Sequence, residues 1–212
     1  MWPIGTYKRF LRKIKGQENF GEKVDYFGIL FCDARQSKAM EYVLNYLDIF
    51  HERSGRFIDF YIPGYIPEND CYSGASNYGI QIGGKRYLFS PKDYLEFCRC
   101  FEYDFGVEFP FSATLVLLEY KSGNFSNARK IVFELEASEN GIKSAGRLFL
   151  NIFTCAESGK MGESLDLLSN SLSTKERIGM IGATTKCILN FFGIDVDPVL
   201  DQHQKISKFR VK

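Results

Sequence analysis

The sequence of 212 residues lacks most of the motifs that assign a reaction to a protein. It contains two histidines, His51 and His203, and no paired Cys-x-x-Cys, which gives no support to a structural zinc site. No Gly-x-Ser-x-Gly is present, and the glycines of residues 79–84 lack the Lys-Ser/Thr of a phosphate-binding loop. We therefore expect neither a metal nor a cofactor.

A charge imbalance and a long apolar run are also missing. Lys and Arg number 27 against 26 Asp and Glu, so the net charge of +1 gives no general attraction to nucleic acid or to an acidic surface. Any basic site must be local. No uncharged apolar stretch reaches the roughly 18 residues of a membrane span, and the first residues do not form a signal peptide. We expect a cytoplasmic protein that binds neither nucleic acid nor membrane.

The chain does contain six cysteines, but a sequence with 45% hydrophobic residues can build a core without disulfides. Most of the cysteines lie in apolar stretches, where a free thiol behaves as a small hydrophobic group. Cys98 and Cys100 would lie about 200° apart on a helix, too far for a ready disulfide. We therefore expect a protein of a reducing compartment in which all six cysteines are free thiols: Cys32, Cys71, Cys98, Cys100, Cys155 and Cys187.

Hydrophobic periodicity predicts an α/β protein. Apolar residues spaced at three and four positions indicate helices, and short unbroken apolar runs indicate buried strands. The first helix, 6–15, is basic and amphipathic. Its charges could bind lipid or nucleic acid, but we expect that its aromatic side docks on the domain and that its charges are solvated. The predicted elements continue with strand 26–32, helix 36–53, strand 56–62, a loop over 63–79, a hairpin over 80–89 turning at Gly83-Gly84, and helix 91–104 with Ser90 as its N-cap.

The second half continues the pattern with two strands and several helices. Residues 113–120 read as a buried strand, and 128–137 alternate as an antiparallel edge strand does. The remaining predicted elements are helix 143–157, helices over 161–172 and 174–192, and a basic tail over 205–212.

The order β, α, β, α, β, β, α across residues 26–157 resembles the thioredoxin fold, with Pro110 just before the third strand and Gly123 in the turn between the last two. The resemblance implies a central mixed sheet flanked by helices, and a cis peptide bond at Pro110. It divides the chain into an N-terminal amphipathic helix (1–23), a thioredoxin-like core (24–157) and a helical C-terminal extension with a basic tail (158–212).

The chain departs from that family at the active-site loop, where Cys32 is followed by Asp-Ala-Arg-Gln-Ser-Lys and no second cysteine. Thioredoxin-type disulfide exchange therefore has no resolving thiol. The resemblance implies a redox-inactive member that binds another protein, or a second copy of itself, in the groove beside the proline. The groove would be lined by Cys32, Asp33, Arg35, Pro110 and Phe111.

Two enzymatic alternatives remain. Cys32 precedes a helix whose N–H groups would favour the thiolate, which suits a single-thiol enzyme, although a small core residue is the simpler interpretation. Asp104 or Glu108 with Glu119 and Lys121 has the residue types of a metal-dependent nuclease. The simpler interpretation of Glu119 and Lys121 is a pair of charges at the exposed end of a strand.

Overall fold

The computed structural model describes residues 1–15, 24–55, 58–71, 78–107, 113–121, 130–135, 139–159, 161 and 209–211. The helices predicted over 161–172 and 174–192 lie outside these residues, apart from Met161. In the described part of the chain, no helix is long and apolar enough to cross a membrane.

The described chain contains four α-helices and nine strands. The four predicted within its first 157 residues are confirmed, with α4 beginning four positions earlier than expected. The elements are β1 (Trp2–Ile4), α1 (Tyr7–Lys15), β2 (Val24–Phe31), α2 (Ser37–Arg53), β3 (Asp59–Pro63), β4 (Tyr65–Pro67), β5 (Gly79–Ile82), β6 (Lys85–Phe89), α3 (Pro91–Phe105), β7 (Thr114–Lys121), β8 (Lys130–Glu134), α4 (Glu139–Glu157) and β9 (Phe209–Val211).

The central sheet is mixed, with the strand order β1-β3-β2-β7-β8-β9. The strands β1, β3 and β2 are parallel, as expected for the βαβ unit around α2. Beyond them the neighbours are antiparallel, and β2 and β7 pair along their whole length, from Val24 opposite Lys121 to Phe31 opposite Thr114. The expected α/β class, with a mixed sheet, is therefore present.

Helices cover both faces of this sheet, because successive strand residues point to opposite sides. On one face, the Phe31 ring lies 5.8 Å from Phe97 of α3, and Tyr61 of β3 lies 5.3 Å from Phe10 of α1. On the other face, Phe60 of β3 lies 4.7 Å from Phe50 of α2 and 5.0 Å from Phe153 of α4. The core is thus aromatic on both sides of the sheet.

Three short strands differ from the expectations. β1 precedes the first helix, and β4 lies in the segment expected to be a loop and pairs with β6. β9 lies within the predicted basic tail and pairs with β8, so β8 is not the edge strand that its alternation indicated. The expected hairpin β5–β6 forms, but in a separate sheet of order β4-β6-β5.

Gly64 sits between β3 and β4, where the chain passes from one sheet to the other. Its φ of +82° is a left-handed conformation that favours glycine. A Cβ there would lie 2.7 Å from Cβ of Tyr94. The Gly64 N–H donates to Ile4 O at 2.9 Å, and its carbonyl accepts from Ser90 N at 2.7 Å. This residue therefore ties β1 and the start of α3 to the turn after β3.

Candidate functional site

Cys32 follows β2 directly, at the carboxyl end of the parallel strands. Its side chain is fully buried. Burial raises the pKa of the thiol well above its ordinary value, and the neighbouring carboxylate of Asp33 acts in the same direction. At neutral pH Cys32 is thus a protonated thiol shielded from water, which is the opposite of an activated nucleophile.

Asp33 and Arg35 form a tight ion pair in the turn between Cys32 and α2. The Arg35 Nε donates to both carboxylate oxygens of Asp33, at 2.9 and 3.1 Å, and the Arg35 backbone N–H donates to Oδ1 at 3.0 Å. The Asp33 carbonyl also accepts from Gln36 N at 2.9 Å. Burial alone would raise the pKa of Asp33, but the hydrogen bonds from Arg35 outweigh it and hold this pKa below its ordinary value.

Two buried tyrosines lie close enough to Cys32 and Asp33 to interact with them electrostatically. Burial raises the pKa of Tyr65 and of Tyr94, and Cys32 and Asp33 contribute to both shifts. The Tyr65 hydroxyl donates to Met40 Sδ at 3.2 Å. The buried groups near the Asp33–Arg35 pair are therefore the hydroxyls of two tyrosines and the sulfur of Met40. Sequence reasoning missed both tyrosines, because neither belongs to a motif that could have revealed it.

Part of the predicted groove can be placed. Cys32, Asp33 and Arg35 lie together at the carboxyl end of β2, with Cys32 inside the core and the Arg35 side chain at the surface. Pro110 and Phe111 lie outside the described residues, and so does the predicted cis peptide bond at Pro110.

Asp104 and Glu119, the two described carboxylates of the nuclease hypothesis, lie on opposite sides of the sheet. Asp104, at the end of α3, accepts a hydrogen bond from the Tyr7 hydroxyl of α1. Glu119 pairs in register with Tyr26 of β2, on the face that α2 and α4 cover. Glu119 is 7% exposed, so it does not lie at an exposed strand end as expected. Glu108 and the side chain of Lys121 lie outside the described part.

The expectation of free thiols holds for the five cysteines that the structure describes, while Cys187 lies outside. Cys98 is buried and Cys100 is partly exposed, as their spacing on α3 implies. Within the described residues, no group of three or more His, Cys, Asp or Glu side chains could hold a metal ion.

Comparison with known proteins adds no relative. No protein-family model matches the chain, and neither the curated proteins nor the solved structures give a significant match.

Proposed function

We propose that this chain is a redox-inactive, thioredoxin-like protein of the cytoplasm that acts by binding another protein. The observation that carries the proposal is the state of Cys32. It follows β2 where the resemblance places the reactive cysteine, yet it is fully buried, its pKa is raised, and the turn after it offers no second thiol. A thiol in that state neither attacks a disulfide nor releases one.

The arrangement of the sheet supports the thioredoxin-like part of the proposal. A parallel βαβ unit, β2-α2-β3, is joined at β2 to the antiparallel pair β7 and β8. Helices pack on both faces, which agrees with the mixed sheet that the resemblance implies. The five cysteines within the described residues are free, which favours a reducing compartment and so a cytoplasmic location.

The binding surface would begin at the Asp33–Arg35 pair. The Arg35 side chain is about half exposed, while the Asp33 carboxylate that holds it is largely buried. Because the pair fixes the guanidinium in place, its remaining N–H groups are oriented before a partner arrives, which lowers the entropy cost of binding. An extended polypeptide offers the carbonyl oxygens that such donors need.

The redox part is tested by turnover and by alkylation. We expect no reduction of insulin disulfides by the purified protein. In the native state iodoacetamide should modify the partly exposed Cys71 well before the buried Cys32, with both rates followed by peptide mass spectrometry. Rapid, Cys32-specific alkylation near neutral pH would instead favour the single-thiol enzyme.

The binding part is tested with a charge reversal at the groove. Arg35→Glu should abolish capture of the protein's native partner, whereas Arg99→Glu, on the exposed side of α3, makes the same charge change elsewhere and should leave capture intact. Equal capture by both variants would show that the groove is not the binding surface.

A further inference from the structure

Helix α1 is anchored to the domain by one side only. Tyr7, Phe10 and Ile14 are buried. The Phe10 ring lies 5.3 Å from Tyr61 and 5.5 Å from Phe97. The apolar side of this helix is therefore covered by the protein itself and is not presented to a membrane.

The opposite side of α1 carries only positive charge. The helix has five basic residues and no acidic residue, and Lys8, Arg9, Arg12 and Lys15 are exposed. Arg9 forms an exposed ion pair of 3.7 Å with Asp70. Within the described residues, no carboxylate lies within ion-pair distance of Lys8, Arg12 or Lys15. We call these three residues the basic row.

The basic row has a defined length and direction. Its members are spaced i, i+4 and i+7, so they lie on one stripe that extends about 10 Å along the helix axis. Like charges at this spacing repel one another in the free protein, and a bound anionic segment would remove that repulsion.

The surroundings of α1 favour a protein segment over a long polyanion. Asp70 is paired with Arg9, and Asp104 accepts from Tyr7, so acidic side chains stand beside the helix. Nucleic-acid affinity grows with the number of phosphates neutralised, and three cations flanked by acids neutralise few. A stripe of about 10 Å does match the reach of a few acidic side chains on one peptide.

The helix also begins next to the predicted groove. The strands β1 and β2 both run parallel to β3. Helix α1, which follows β1, therefore starts at the carboxyl end of these strands, as Cys32 does. Tyr7 lies 5.3 Å from Phe97, whose ring lies 5.8 Å from Phe31, the residue before Cys32. Cys32 and the start of α1 therefore lie at the same end of the sheet.

We propose that the basic row of α1 is a docking surface for an acidic segment of a partner protein. This inference rests on the proposed function, since it supplies the chemistry of the partner that the groove would bind. The basic row would recognise the segment electrostatically, and it lies on a helix that packing holds in place.

The test uses fluorescence anisotropy of a labelled oligoglutamate of about eight residues, which spans the row when extended. The triple variant Lys8→Gln, Arg12→Gln, Lys15→Gln should bind about tenfold more weakly than the wild type, as expected when three exposed pairs are lost. The matched control, Lys85→Gln, Lys92→Gln, Arg99→Gln, makes the same charge change at exposed sites on other elements and should bind as the wild type does.

Three outcomes would overturn the inference. The first is an equal loss of oligoglutamate binding in the two triple variants. The second is that an oligothymidylate with the same number of charges binds the wild type more tightly than the oligoglutamate does, and the third is that phosphatidylserine vesicles do so. Each of these leaves the alkylation and Arg35→Glu results untouched, so failure of the basic row is distinguishable from failure of the proposed function.

Discussion

At the scale of single residues, Gly28 of β2 leaves the space that the Phe60 ring of β3 occupies. A Cβ added there would lie 2.2 Å from the Phe60 ring. Since that ring is itself held by Phe50 and Phe153, it has little room to move. Glycine is therefore required at this position by packing and not by backbone conformation.

Gly28→Ala should lower the free energy of unfolding by about 1–3 kcal/mol, the usual cost of overpacking a core. Urea denaturation of Gly28→Ala, Phe60→Leu and the double variant completes the measurement as a double-mutant cycle. The added methyl should cost less in the Phe60→Leu background than beside the native ring. An unchanged cost in the two backgrounds would contradict the contact.

The Asp33–Arg35 pair makes stability depend on pH. The pKa of Asp33 is lowered in the folded state, so its carboxylate stabilises the fold above the unfolded pKa of about 3.9 and loses that effect as the pH falls through the lower, folded pKa. In Arg35→Ala, Asp33 stays partly buried but loses the hydrogen bonds from the guanidinium, so the pKa of Asp33 should rise.

Arg35→Ala should therefore be less stable than the wild type near neutral pH, by about 1 kcal/mol at most because Arg35 is half exposed. The difference should shrink in acid, and urea denaturation over a pH series measures it. In an Asp33→Asn background the pH-dependent part should disappear. A deficit that stays constant across the series would mean that Arg35 acts through packing.

At the scale of elements, α1 shows how one helix separates two roles. Its buried side fixes the helix to the sheet, and its exposed side carries charges that contribute little to the stability of the fold. Phe10 is the centre of the buried side, since it is fully buried between Tyr61 and Phe97.

Phe10→Asp should cost at least about 3–5 kcal/mol, the usual loss for a deleted core ring, because it also buries a carboxylate in place of that ring. Reversal of Lys8, Arg9 and Arg12 to Glu should change the melting temperature little. Thermal melts of both variants at low and high salt check this order. A large loss of stability from the charge reversal would show that the charges hold the helix in place.

At the scale of the whole molecule, long elements could be predicted from the sequence and very short ones could not. Helices α2 and α3 carry several turns of apolar spacing, and Ser90 marks the start of α3 as a side-chain cap that accepts from Asp93 N. The strands β1 and β4 have three residues each and no periodicity. Their pairing depends on where β3 and β6 lie, which is tertiary information.

The candidate site was predictable to a similar extent. The burial of Cys32 follows from the apolar run before it. The burial of Glu119 does not, because a carboxylate after two leucines fits an exposed strand end as well as a covered one. Its environment is decided by the register with β2 and by the helices on that face. Tyr65 directly follows the turn at Gly64 and Tyr94 of α3 packs beside that turn, so the approach of both tyrosines to the site is again tertiary information.

Hydrogen exchange should show how stability is distributed across the two sheets. β2 pairs with β7 over eight positions and with β3 on its other side, whereas β4 pairs with β6 over three. Amides of β2 and β7 should therefore exchange most slowly, and those of β4 and β5 faster. Equal protection of both sheets, measured by mass spectrometry of peptides, would contradict this ranking.

Trp2 is the single tryptophan of the chain, and its position makes it a local reporter. Its indole N–H donates to Asp59 at 2.7 Å, and the Lys13 ammonium lies 4.0 Å from the centre of its ring. Because both contacts belong to the corner formed by β1, β3 and α1, the emission of Trp2 records the opening of that corner. Far-ultraviolet circular dichroism records the whole backbone instead. If the two denaturation curves separate, with emission changing first, this corner detaches before the rest unfolds.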